Sequence, residues 1–182
     1  QNCEKSNLKF RIFVKKNLIL IGMMAVGKTT LGKIVAKKQG LEFIDADLVI
    51  EKKNKMTIKD IFEKKGEKFF RFEEKKVVLK LLKKTNCVIA LGGGAFVNKD
   101  IRQDVLKKGI SIWLDIDSKI LYTRSLWNKK RPLLNKDNNK KKLDELYLNR
   151  KSIYKLADHK ITCDRLRKSD IAKKIIELYE KH

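Results

Sequence analysis

Short apolar segments alternate with longer segments of helical periodicity along most of the chain. The helical segments include "KTTLGKIVAKKQG", the stretch Leu48–Lys84 and the final Ser169–Lys181. Five apolar runs have the length of strands: Asn17–Ile21, Leu41–Asp47, Cys87–Gly94, Gly109–Ile116 and His159–Asp164. Strands that alternate with helices pair in parallel through right-handed crossovers, with helices on both faces of the sheet. The pattern therefore predicts a three-layer α/β/α fold with a five-stranded parallel sheet.

The carboxyl ends of the predicted strands carry most of the candidate chemistry. In parallel sheets of this kind, ligands bind at that edge. Here the strand ends lead into Gly22–Thr30, Asp45 with Asp47, Gly92–Gly94, and Asp115 with Asp117. We expect the functional site to lie where the first three of these meet.

The stretch "GMMAVGKTT", Gly22–Thr30, matches the phosphate-binding pattern G-x-x-x-x-G-K-[ST]. Its glycines allow backbone N–H groups to turn inward around a phosphate, Lys28 reaches the outer phosphates and Thr29 binds magnesium. The stretch also lies between a predicted strand and a predicted helix, whose N-terminus favours anions. These features predict a nucleotide site for ATP and Mg²⁺.

An export signal is the competing interpretation of this region, since "KFRIFVKK" is followed by the apolar "LILIGMMAV". The apolar run lacks a small-x-small cleavage site, and Lys28 places a charge almost directly after it. It is also far shorter than the roughly 20 residues that span a bilayer. We therefore expect a cytoplasmic protein without a membrane segment.

Asp45 and Asp47 follow the second predicted strand. If strand geometry continues, their side chains point to opposite sides, so one could face magnesium and the other a substrate. Two carboxylates at a strand end can equally form a solvated turn. Their position about twenty residues after the phosphate loop favours the functional interpretation.

Two further motifs have both a structural and a functional interpretation. Arg71 and Glu74 in "FFRFEE" are three residues apart on one helical face, so they form either a surface ion pair or an arginine oriented toward an anion. Gly92–Gly94 form either a flexible turn or a close approach of the backbone to a ligand.

The chain is strongly basic, with 45 Lys and Arg against 22 Asp and Glu and a net charge of +23. Such a charge attracts nucleic acid, but equally small phosphates and carboxylates. The lysines are spread along the polar faces of the predicted helices, which favours a solvated surface, and no nucleic-acid-binding motif is recognisable. Cys3, Cys87 and Cys163 have neither zinc-site nor disulfide-framework spacing.

The 182 residues are enough for one domain. We assign residues 1–16 to an N-terminal extension and 17–182 to the domain. Within the domain, the polar segment 128–142 contains the only proline and lacks periodicity, which predicts a mobile lid.

Taken together, these motifs resemble the shikimate kinase family from about Asn17 to Tyr179. The resemblance rests on the following motifs in the order and spacing of the family: "GMMAVGKTT", "FIDADLVIE", "DIFEKKGEKFFRFEE", "LGGGA", "KRPLL" and "NRKSIY". It implies a P-loop kinase fold with a substrate-binding region at about 45–75 and a lid. The implied reaction transfers the γ-phosphoryl group of ATP to the 3-hydroxyl of shikimate, in aromatic amino acid biosynthesis.

The resemblance also implies a role for each matching residue. Asp45 would support the magnesium bound by Thr29, and Asp47 would bind substrate hydroxyls and act as base. The shikimate carboxylate would be held by Arg71 and Arg150, beside Gly93 and Gly94. The nucleotide would be held by Ala25, Val26, Gly27, Lys28, Thr29, Thr30, Arg124, Arg131 and Arg165, with Lys28 and Arg131 also serving catalysis.

Two residues depart from the family pattern, namely Ala25, where glycine is frequent, and Ser152, where proline is common.

The alternatives to a shikimate kinase are another small-molecule kinase of this fold, such as a gluconate kinase, and a basic ATP-using protein that binds nucleic acid. We expect a monomer that acts on shikimate, without a specific nucleic-acid partner.

Overall fold

A computed structural model describes residues 15–126 and 139–182 of the chain. All five predicted strands are present, as β1 (Asn17–Ile21), β2 (Glu42–Asp45), β3 (Cys87–Ala90), β4 (Gly109–Asp115) and β5 (His159–Thr162). They form one parallel sheet in the order β2-β3-β1-β4-β5. Every residue of β1, β3 and β4 is buried, as expected for central strands covered on both faces.

Seven α-helices connect and flank the strands in the described parts of the chain. They are α1 (Lys28–Gln39), α2 (Ala46–Asn54), α3 (Ile58–Leu81), α4 (Lys99–Lys108), α5 (Ser118–Leu126), α6 (Asn139–Tyr154) and α7 (Lys168–Tyr179), with a short 3₁₀ helix at Ala95–Val97. The connection from β1 runs toward β2, whereas the connection from β3 runs the opposite way to β4. Right-handed crossovers therefore place α1 and α4 on opposite faces, which confirms the α/β architecture.

The reversal of strand order decides where a site can form. The loops after β1 and β3, two neighbouring strands, leave the sheet in opposite directions and open a crevice between them. The phosphate-loop motif follows β1 and the triple glycine follows β3. The sheet thus brings these two motifs, some seventy residues apart in sequence, to the same edge.

The structure differs from the sequence prediction at several element ends and inside α3. The strands β3, β4 and β5 end at Ala90, Asp115 and Thr162, each short of the predicted run. The second strand ends at Asp45, because this carboxylate accepts hydrogen bonds from the backbone N–H groups of Asp47 and Leu48 and so caps α2. The long helix α3 is interrupted at Gly66, whose φ of 80° and ψ of 168° are not helical.

Two segments of the predicted domain organisation, the N-terminal extension and the lid, are only partly described. Lys15 and Lys16 already contact the domain, since the Lys15 amide donates to Asn86 and Tyr179 donates to the Lys16 carbonyl. The remainder of the predicted extension and residues 128–138 of the predicted lid lie outside the described residues, while 139–142 form the start of α6. None of the described helices combines the length and apolar composition needed to cross a membrane.

Candidate active site

The loop between β1 and α1 has the backbone geometry of an anion cradle. Gly22 and Gly27 have positive φ angles of 142° and 103°, and Ala25 adopts the left-handed region at 61°. A Cβ atom on Gly22 would lie 2.5 Å from the Leu114 carbonyl oxygen, so this position has no room for a side chain. No side chain caps the N-terminus of α1 at Gly27, which leaves the first N–H groups of the helix directed at the loop.

Lys28 and Thr29 are held in place at this helix end. The Lys28 ammonium is buried and donates to the carbonyl oxygens of Gly22 and Met23, at 2.9 Å each. The Thr29 hydroxyl donates to Asp45 Oδ2 at 2.6 Å. Two oxygen ligands of the type that magnesium prefers are therefore adjacent at the mouth of the loop.

A cavity of about 480 Å³ opens above these residues. It is lined by Ala25, Gly27, Lys28, Thr29, Thr30, Asp45, Asp47, Ala90, Leu91, Arg124 and Lys168. Among the described residues no group of three or more His, Cys, Asp or Glu side chains could hold a metal by itself. Mg²⁺ in phosphoryl-transfer sites typically uses one or two carboxylates and completes its shell with phosphates and water, so the Thr29–Asp45 pair fits that ion.

The glycine turn after β3 forms the centre of a second group of charged side chains. A Cβ atom on Gly92 would lie 2.6 Å from Asp47 Oδ1 and 2.9 Å from Glu74 Oε1. One on Gly94 would lie 2.5 Å from Arg71 Nη1. The absence of side chains in this turn lets three charged groups from α2 and α3 approach the backbone closely.

Arg71 is fixed by two carboxylates of its own helix. Its Nη1 atom donates to Glu74 at 2.7 Å, and its Nε and Nη2 atoms donate to Glu67 at 3.2 Å. Burial alone would lower the pKa of Arg71, but Glu74 and Glu67 outweigh it and raise that pKa. Arg71 therefore remains a cation held in one orientation.

Glu74 is 2% exposed, so this is not the surface ion pair that the sequence left open. Burial raises the pKa of Glu74, and the negative charge of Asp47 acts in the same direction, while Arg71 and Arg150 oppose them. The opposing charges show that Asp47, Glu74 and both arginines share one electrostatic environment.

Arg150 reaches the glycine turn from α6, whereas Arg71 reaches it from α3. Its Nη1 atom lies 3.4 Å from the position of a Cβ atom on Gly93 and 3.9 Å from the Met23 sulfur. The residue as a whole is 9% exposed. Two arginines, one from α3 and one from α6, thus flank a small turn next to the phosphate loop, which is suited to binding a carboxylate beside a phosphate donor.

Comparison with known proteins agrees with this geometry. The shikimate kinase family profile matches residues 24–180. The chain belongs to the shikimate kinase family. Shikimate kinases of Rhizobium leguminosarum bv. trifolii and Thermoanaerobacter pseudethanolicus are each 40% identical to it, over 89% and 90% of this chain and 83% and 96% of theirs.

A solved shikimate kinase from Acinetobacter baumannii, in complex with shikimate, superimposes with a TM-score of 0.88 at 36% identity, covering 92% of this chain and 94% of that one. The sequence-based assignment to an ATP-dependent kinase with the P-loop fold is therefore confirmed. A gluconokinase from Sinorhizobium meliloti gives a TM-score of 0.54 at 11% identity, which shows a shared fold alone.

In this shikimate kinase family member, most of the predicted site residues meet at the crevice. Exceptions among the predicted nucleotide residues are Val26, whose side chain is buried in the core, and Arg165, which is exposed and does not line the cavity. Arg131 lies outside the described residues.

The strand geometry that would make Asp45 and Asp47 point to opposite sides does not continue past Asp45. Because α2 starts at Ala46, Asp45 caps the helix and Asp47 lies in its first turn, and both line the same cavity.

Sequence reasoning missed Lys168, which lines the cavity at the start of α7, and Glu67, the second partner of Arg71. The i, i+4 spacing of Glu67 and Arg71 could have indicated that pair. No sequence signal pointed to Lys168 in a chain with so many lysines.

Proposed function

We propose that this protein transfers the γ-phosphoryl group of ATP to the 3-hydroxyl of shikimate, giving shikimate 3-phosphate and ADP. The observation that carries the proposal is the convergence of Arg71, Arg150 and Asp47 on the glycine turn beside the phosphate loop. A polyhydroxy acid needs cationic partners for its carboxylate and a hydrogen-bond acceptor for its hydroxyl, and this cluster supplies both.

On the donor side, Lys28 and the N–H groups at the start of α1 bind the nucleotide phosphates, and Thr30 lies next to them. Thr29 and Asp45 would hold Mg²⁺. When bound, the ion offsets phosphate charge during transfer. Before nucleotide binds, the carbonyl oxygens of Gly22 and Met23 accept hydrogen bonds from the buried Lys28 ammonium, so its charge is not left unpaired. When nucleotide binds, phosphate oxygens replace these carbonyl partners.

The remaining basic residues at the nucleotide site act on charge and position. Arg124 lines the cavity, where it would contact the nucleotide. Arg165 does not line the cavity, and its place near the adenine rests on the family resemblance alone. By the family resemblance, Arg131 would supply positive charge to the transferring group. Phosphoryl transfer depends mainly on such positioning and charge stabilisation, so no covalent intermediate with the protein is required.

On the acceptor side, Arg71 and Arg150 hold the shikimate carboxylate while Gly93 and Gly94 line the site. Asp47 accepts a hydrogen bond from the reacting hydroxyl, orients it and takes its proton. In a loose transition state the proton leaves late, so orientation contributes at least as much as basicity.

A coupled ADP-release assay tests this function with shikimate, gluconate, AMP or no acceptor. ADP release should depend on both shikimate and magnesium. Lys28→Ala should abolish it, whereas Lys33→Ala, which removes an exposed charge from the same helix, should leave it intact. Equal or greater turnover with gluconate or AMP would contradict the assignment.

We also propose that the protein acts in the cytoplasm, as a monomer, in aromatic amino acid biosynthesis. Its net charge of +23 attracts ATP and shikimate, which are both anions, without requiring a nucleic-acid partner. Light scattering of the purified protein tests the monomer. A gel shift that survives physiological salt would favour a dedicated nucleic-acid function instead.

A further inference from the structure

Tyr154 occupies the inner face of α6, one turn after Arg150. It is 1% exposed, and its ring packs at a tilt against Trp113 of β4, with centroids 5.9 Å apart. A tyrosine buried this deeply needs a partner for its hydroxyl.

The hydroxyl donates to the carbonyl oxygen of Gly93 and also lies 3.8 Å from the Met23 sulfur. The neighbouring carbonyls of Gly92 and Gly94 accept backbone N–H groups of the 3₁₀ helix, at 3.1 Å each. The middle of the turn is thus held by a side chain from a different element, some sixty residues further along the chain.

This hydrogen bond fixes the part of the turn on which the acceptor cluster depends. A glycine triplet has no side chains to restrict its backbone, so its conformation is determined by what holds its carbonyls. The carboxylates of Asp47 and Glu74 lie where a side chain on Gly92 would be, and the Arg71 guanidinium lies where one on Gly94 would be. A rotation of the Gly93 peptide would move both contact points.

We propose that Tyr154 is a positioning residue of the acceptor site, acting through the Gly93 carbonyl to set the spacing between Arg150 and the Asp47–Arg71 side of the cluster. Its effect on turnover rests on the function proposed above, whereas its effect on the turn does not. Burial raises the pKa of Tyr154 to about 12, against the opposing effect of Arg150, so the hydroxyl stays a donor at neutral pH.

The test compares two variants that each remove one buried hydroxyl. Tyr154→Phe keeps the ring and its packing but loses the bond to Gly93 and also the interaction of the hydroxyl with Arg150. Hydrogen exchange of the turn therefore decides the role of the Gly93 bond. Tyr179→Phe is the matched control, because Tyr179 is 3% exposed and donates to the Lys16 carbonyl at 2.7 Å, at the amino end of β1 and so at the opposite edge of the sheet.

The first readout needs no substrate. Hydrogen exchange of residues 91–98 in the free protein should accelerate in Tyr154→Phe and stay as in wild type in Tyr179→Phe. Unchanged exchange in Tyr154→Phe would overturn the positioning role, whatever reaction the protein catalyses.

The second readout is kinetic. Tyr154→Phe should lower kcat/KM for shikimate by about tenfold or more, mainly through KM, because small displacements of substrate-holding groups are costly. KM for ATP should stay within about twofold. Tyr179→Phe should leave kcat/KM for shikimate, KM for shikimate and KM for ATP near their wild-type values.

The outcomes separate the two proposals. A wild-type protein without shikimate-dependent ADP release refutes the proposed function, and the exchange measurement then still decides the role of Tyr154. Equal kinetic losses in both variants, or a Tyr154→Phe protein that unfolds where Tyr179→Phe is folded, would show that the hydroxyl only stabilises the fold, and would overturn the inference.

Discussion

Replacement of Arg71 by alanine tests the carboxylate clamp most directly. A guanidinium has five N–H groups. Three of them donate to Glu67 and Glu74. Within the described residues, this leaves one N–H group on Nη1 and one on Nη2 available for a ligand. These two atoms lie 2.5 and 2.9 Å from the position of a Cβ on Gly94, so they face the glycine turn. We propose that these two N–H groups donate to the two oxygens of the shikimate carboxylate.

The expected magnitude follows from those two N–H groups. A hydrogen bond to a charged group contributes about 1.5 to 3 kcal/mol, or roughly tenfold to over a hundredfold in affinity. The Arg71 side chain is 33% exposed and Arg150 remains in place, so we expect the loss to equal about one such bond. Arg71→Ala should therefore raise the Kd for shikimate roughly tenfold to a hundredfold.

Calorimetric titration with shikimate and with an ATP analogue measures both affinities on the same protein. Lys68→Ala is the matched control, since it removes an exposed positive charge from the same helix. Arg71→Lys should lose nearly as much as Arg71→Ala, because an ammonium cannot form the paired bonds. If the affinity for the ATP analogue falls as far as that for shikimate, or if Arg71→Ala binds shikimate as wild type does, the clamp is assigned to the wrong residue.

Two further predictions concern single residues of the cavity. Asp47→Asn should lower kcat at least about a hundredfold with ATP binding nearly intact, since it keeps the shape but removes the base. Steady-state kinetics check this, and retention of more than about a tenth of wild-type kcat would refute the role of Asp47. Ala25→Gly should stabilise the protein by about 1 kcal/mol, because Ala25 has a φ of 61°, in the left-handed region that glycine adopts at lower cost. A denaturant titration measures that change, and a lower midpoint in the variant would show that Ala25 is not strained.

The fold was predictable because its central strands have an unambiguous pattern. Continuous apolar runs bounded by glycine or polar residues, such as Asn17–Ile21 and Gly109–Asp115, are buried on both faces and leave no choice of register or surface. The phosphate-loop pattern then fixes the strand-to-helix turn after β1. Together they determine both the architecture and the edge of the sheet that carries the site.

The boundary after β2 was not predictable from the same rules. "FIDAD" continues the alternation of a strand, yet aspartate is also a preferred N-cap residue. In the structure Asp45 caps α2 through two backbone N–H groups, and this capping ends the strand. The choice depends on tertiary packing of α2, which local pattern does not contain.

The interruption of α3 was missed for a similar reason. A single glycine in a helical pattern is usually tolerated, so Gly66 gave no signal of a break. Its observed backbone conformation is one that glycine adopts almost alone. The break means that Glu67 begins a new helical segment, and this segment carries Arg71 and Glu74 toward the glycine turn.

The basic surface and the acceptor site perform different tasks, although both are rich in positive charge. Surface lysines attract anions over a distance of about 8–10 Å at physiological salt, and they do so without selecting one anion over another. Selection requires charges that are held in fixed positions.

Arg71 is held by Glu67 and Glu74, and Glu74 is buried with a raised pKa beside Asp47. Part of the arginine's charge is therefore already offset before a substrate arrives, so simple attraction at this site is weak. What remains is a directional pair of N–H groups, and these favour a small anion that can accept both bonds over a diffuse polyanion. The composition of the chain could indicate the attraction, but the selectivity that we propose depends on three glycines that allow α2, α3 and α6 to place their charged side chains around one turn.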